Sequence, residues 1–73
     1  MKFNKNNFVR INCKKKDLLE IGILETDAKK LLNKLGLIVA VWGENKDKYN
    51  VKFSDISNNG YNYCFEEWML KKN

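Results

Sequence analysis

Leu37-Ile38-Val39-Ala40-Val41-Trp42, then Gly43-Glu44-Asn45-Lys46-Asp47-Lys48, then Tyr49-Asn50-Val51-Lys52-Phe53-Ser54: this stretch decides the fold class. Its first six residues are apolar on both faces and rich in β-branched side chains, as a central strand requires. The polar run that follows reads as a hairpin loop. Beyond it, Tyr49, Val51 and Phe53 alternate with Asn50, Lys52 and Ser54, the period-two pattern of a half-buried strand. The chain is therefore mainly β.

Toward the C-terminus, Asp55 to Gly60 carries the turn chemistry Ser57-Asn58-Asn59-Gly60. Tyr61, Tyr63 and Phe65 then form another alternating strand, with Cys64 on its opposite face. Residues 66–72 admit two readings, a one-turn corner leading into a short strand or a terminal helix. Toward the N-terminus, Leu24, Ala28, Leu31, Leu32 and Leu35 fall on one helical stripe, with Thr26 as N-cap and Gly36 as the C′ residue. The spacing predicts a helix over 27–35, packing that stripe inward and turning Lys29, Lys30 and Asn33 outward. Leu18 to Ile21 reads as a separate helical turn cut off by Gly22. Phe8 to Cys13 is a strand with Val9, Ile11 and Cys13 on one face and Arg10 and Asn12 on the other. Residues 1–7 are expected to be a flexible or edge segment.

Length and composition narrow the function. Seventy-three residues form one domain, and 44% apolar with 12% aromatic residues is too hydrophobic for a disordered chain. There is no histidine, which removes the commonest general base and metal ligand near neutral pH. Glu66 and Glu67 are adjacent and point apart, so they cannot flank one bond. Asp17 and Glu20 lack a base or metal to organise them. Neither phosphate-cradling glycine spacing occurs. Cys13 follows a strand pattern that turns it inward, although Lys14, Lys15 and Lys16 stand next to it and would lower its pKa. The reading is a non-enzymatic protein with no cofactor and no metal. The two cysteines are expected as buried free thiols, with a Cys13–Cys64 bridge the alternative for an exported chain. No apolar run approaches the roughly twenty residues that span a bilayer, and the expected location is cytoplasmic.

The formal charge of +5 is not spread evenly. Lys2, Lys5, Arg10, Lys14, Lys15 and Lys16 crowd the first sixteen residues with no carboxylate among them, and the rest of the chain is close to neutral. One basic surface from Lys2 to Lys16 would suit an acidic partner. The same lysine- and asparagine-rich composition is what an AT-rich coding sequence leaves without selection for binding.

Val9-Arg10-Ile11, Gly36 through Val41, Tyr49-Asn50-Val51-Lys52-Phe53 and Phe65-Glu66-Glu67-Trp68 together resemble the small SH3-like barrels over most of residues 8 to 70. The resemblance implies a five-stranded antiparallel barrel with the helix inserted between its first two strands. It also includes KOW modules of ribosome- and transcription-associated proteins, though Asn6-Asn7 stands where those usually carry Gly-Asp. Other members are small bacteriophage proteins. It implies an accessory protein of phage or mobile-element type that docks on a protein or nucleoprotein target, with inhibition of host machinery one such role. The alternative is direct, sequence-nonspecific nucleic-acid binding, and homodimerisation is a variant of the first reading. Candidate partner contacts are Lys2, Lys5, Arg10, Lys14, Lys15, Lys16, Lys29, Lys30, Trp42 and Tyr61. Against the aromatic contacts stands a bland alternative, in which Trp42, Tyr49, Phe53, Tyr63, Phe65 and Trp68 are simply the core.

Overall fold

The computed structural model describes residues 2–32, 34–53 and 62–73. Its elements run β1 (Phe8–Ile11), α1 (Lys15–Glu20), α2 (Glu25–Leu31), β2 (Leu35–Trp42), β3 (Lys48–Lys52) and β4 (Tyr63–Glu66). A 3₁₀ turn (Glu67–Met69) and β5 (Leu70–Lys72) follow. The corner-and-strand reading of the C-terminus is the one observed. The turn expected over Asp55 to Gly60, like Asn33 and Tyr61, lies outside the described residues.

All pairings are antiparallel, in the spatial order β4-β3-β2-β1-β5. β2 is central, as its apolar run requires. The sheet is not closed into the expected barrel: among the described residues β4 and β5 stand at opposite edges. Alternation identifies strands, whereas closure depends on tilt and stagger, which no local pattern encodes. The edges are managed by brevity and charge. β5 has three residues, two of them lysines, and β4 has four and ends on Glu66.

One side of the sheet carries the core. Val9, Ile11, Ile38, Tyr49, Val51, Phe53, Phe65 and Leu70 from the strands pack with Leu18, Ile23, Ala28 and Leu31 from the helical insertion. Phe53 meets Phe65 edge-on at a ring separation of 6.2 Å, and Phe3 meets Tyr49 edge-on at 5.5 Å. Residues 2–7, read as flexible or edge, are fastened at this end. The Phe3 amide donates to the Tyr49 hydroxyl at 3.1 Å, and Asn6 and Asn7 exchange backbone bonds with Ile38.

The helical insertion differs from expectation in its boundaries. α2 starts at Glu25 with Leu24, not Thr26, in the N-cap position, and it stops at Leu31. Only Ala28 and Leu31 of the predicted stripe are fully buried; Leu24 is 70% exposed. Leu35 and Gly36 belong to β2, where Leu35 opposes Arg10 and Gly36 opposes Val9. Gly36 is needed in the sheet for space and does not end a helix. A Cβ there would clash with Val51 Cγ1 and lie 2.8 Å from Phe53 Cε1. The separate turn around Leu18 is α1, ended by Gly22 at φ +95°, a conformation open to glycine at little cost.

Gly36→Ala is therefore expected to destabilise the fold by about 1–3 kcal/mol through overpacking against β3. Urea unfolding should show a lower midpoint at unchanged slope. An unchanged midpoint would mean that β2 and β3 do not approach this closely.

Candidate binding face

The expected basic surface from Lys2 to Lys16 is not one patch. Lys2 and Lys5 sit with Lys46, Phe3, Asn4 and Val41 around a cleft of about 320 Å³ by the β2–β3 hairpin loop, and the Lys2 ammonium donates to the Asn45 carbonyl. Lys14, Lys15 and Lys16 lie past the other end of β1, at the start of α1. With about 3.3 Å of rise per residue, β1 and its flanks put on the order of 30 Å of chain between the two groups. Lys15 is committed to Glu25 at 3.1 Å, and the Lys14 amide donates to Asp17 Oδ2 at 3.0 Å. The Lys15 ammonium, bonded to it, and then Lys29 hold the Glu25 carboxyl below its usual range. Lys29 and Lys30 are exposed on the last turn of α2. Lys29 shares the Glu25 carboxylate with Lys15 and so stands beside the second group.

Arg10 and Trp42 are brought to a common surface, the side of the sheet away from the helices. The register builds that face row by row. Arg10 stands between Leu35 and Lys71, and Leu37 stands between Phe8 and Lys52. Asn50 stands between Ala40 and Cys64, and Lys48 stands between Trp42 and Glu66. Phe8 is 53% exposed and Trp42 49% exposed, so neither tryptophan position proposed for the core is buried: Trp68, on the 3₁₀ turn, is 56% exposed. Trp42 Nε1–H donates to Asn50 Oδ1 at 2.9 Å. Because Trp42 faces Lys48, that bond reaches diagonally and holds the indole across β3. Arg10 Nε–H donates to Asn73 Oδ1 at 2.9 Å, and Lys48 pairs with Glu66 at 3.0 Å. The bonded Glu66 carboxylate raises the Lys48 pKa above its ordinary value.

Phe8, Lys52 and Lys71 did not figure among the sequence candidates. Alternation already put Phe8 on the side of Arg10, and Lys52 on the side of Asn50. The pairing that lines them up with Trp42 and Lys71 is a matter of register, which the local pattern does not contain.

Both cysteines are free thiols. Cys64 is exposed and Cys13 partly buried, so the expectation of two buried thiols is corrected for Cys64, which sits on the outward side of an edge strand. Burial, with the Asp17 carboxylate adding to it, pushes the Cys13 thiol above its ordinary pKa, opposite to the lowering expected from Lys14–Lys16. Burial likewise raises Cys64. Among the described residues no three Cys, Asp or Glu side chains gather where a metal ion would fit, and no helix is long and apolar enough to cross a membrane.

No protein-family model matches this chain, and no curated protein or solved structure shows a significant similarity to it.

Raised thiol pKa values have a direct consequence. Iodoacetamide should modify folded Cys13 and Cys64 more slowly at pH 7.5 than an unstructured cysteine peptide, with rates still climbing above pH 9. A rate plateau near neutral pH at either position would reveal an activated thiol.

Proposed function

We propose that this chain is a non-enzymatic binding module that docks on a protein or nucleoprotein target through the open face of its sheet. The observation that carries the reading is the exposed pair Phe8 and Trp42 on a face that no helix of the described chain covers. A small domain that needs apolar burial leaves large aromatic surface in water only at some cost, and such exposure commonly marks an interaction site. Aromatic anchors are also the side chains that dominate binding energy where they become desolvated. The SH3-like assignment belongs to the same proposal. Its support is the strand order β4-β3-β2-β1-β5 and the 3₁₀ turn leading into β5. A phage-type accessory role, inhibition of host machinery included, rests on the sequence resemblance alone.

Capture of a target from cell lysate by a tagged chain tests the reading. The wild-type chain and Lys29→Ala/Lys30→Ala are expected to retain the same stoichiometric target, and Phe8→Ala/Trp42→Ala to lose it while keeping a native circular dichroism spectrum. Equal capture by Phe8→Ala/Trp42→Ala would place the docking surface elsewhere.

A further inference from the structure

We propose that the open face binds single-stranded nucleic acid without sequence preference, with bases stacking on Trp42 and Phe8 and phosphates held by Lys52 and Lys71. The inference rests on the reading of this face as the docking surface and names its ligand. Three observations on that face carry it.

The first is charge. Among the described residues the register puts Arg10, Lys48, Lys52 and Lys71 on the face against one strand carboxylate, Glu66, which is already bonded to Lys48. A second copy of this chain, laid face to face, would set like charges against each other. The centre of a protein–protein interface is depleted in lysine, whereas here lysines flank the aromatic rows. A polyanion complements the face; a neutral apolar partner does not.

The second is the spacing of rings and cations. Phe8 shares a row with Lys52, and Trp42 begins another row beside Lys48. Trp42 lies five positions along β2 from Leu37, the neighbour of Phe8, which is on the order of 15 Å at strand rise. That distance is too long for one base and suits a strand of a few nucleotides laid along β2. The indole is already pinned by its bond to Asn50, so little side-chain entropy is lost on stacking.

The third is shape. Among the described residues no helix projects from this face to enter a groove, so a ring on it reaches only bases that are not stacked in a duplex. Arg10 is the sole arginine of the chain, and lysine makes poor bidentate contacts to base edges. Stacking and phosphate contacts without base readout give affinity that tolerates sequence.

The test uses the full chain with fluorescein-labelled dT12, rU12 and a duplex of equal length, followed by anisotropy from about 20 to 200 mM salt. Binding to both single strands, tighter than to the duplex, is expected. Trp42→Ala should weaken it at least about fivefold, with Trp42→Phe recovering part of the loss. Lys52→Ala/Lys71→Ala should lower the slope of log affinity against log salt by about 1.4, the share of two single-strand phosphate contacts. Binding indifferent to Trp42→Ala, or preference for the duplex, would overturn the proposal as diffuse lysine attraction. Absence of binding at 20 mM salt also overturns it. If Phe8- and Trp42-dependent capture of a target then survives nuclease treatment, the docking module stands with a protein as its ligand. If that capture fails as well, both readings fall.

Discussion

One extra residue in β2 decides which side of the sheet Trp42 occupies. Up to Ile38, which pairs with Val51, the even-numbered residues of β2 face the core: Gly36 lies under Val51 and Phe53, and Ile38 is fully buried. Between Ile38 and Ala40 the register shifts by one, so that Val39 has no opposite number on β3. From there the parity is reversed. Val41 pairs with buried Tyr49 on the inner side, and Trp42 pairs with Lys48 on the outer side. Without the shift, Trp42 would share the side of Gly36 and Ile38 and compete with Tyr49 for the centre of the core. The bulge thus serves packing and exposure together: it lets Tyr49, Phe53 and Phe65 fill a small interior and sends the indole outward.

The interior explains why the inner side had to be closed by chain from far away in sequence. A 73-residue domain has little core to spare, and its sheet covers one layer only. The second layer is the helical insertion, which contributes Leu18, Ile23, Ala28 and Leu31, and Phe3 seals the end near Tyr49. Both devices spend apolar residues on the same side. The other side is left with Phe8, Leu35, Leu37 and Trp42 among lysines and one arginine, wet and mixed in character. The cations that cluster in the first sixteen residues are in turn pulled apart by β1, which carries Lys2 and Lys5 to one end, Arg10 to the outer face and Lys14–Lys16 to the other end.

Much of this was legible along the chain. Strict alternation in Tyr49–Phe53 and Val9–Ile11 marked strands and their inward sides, and β2 was read as central because its run lacks polar residues. The helix between the first two strands was legible too, but not its end. Leu35 fits a helical stripe and a strand equally well by spacing, and the choice went to the sheet because Arg10 and Val9 offer Leu35 and Gly36 partners across the chain. Gly36 shows the same ambiguity: glycine commonly ends helices, and it also permits close approach of neighbouring strands. Here the side chains of Val51 and Phe53 resolve it.

For the candidate face, residue types were visible and their company was not. Composition and alternation determine, without coordinates, that the chain is mainly β, basic and free of histidine. They also place Phe8 with Arg10, since neighbours two apart on a strand share a side. What only the tertiary structure decided is which residues stand opposite one another, whether the sheet closes, and on which side Trp42 emerges. Those depend on register and on the bulge in β2. Both are set by contacts between residues distant in sequence, where a shift of one position moves every side chain to the other face.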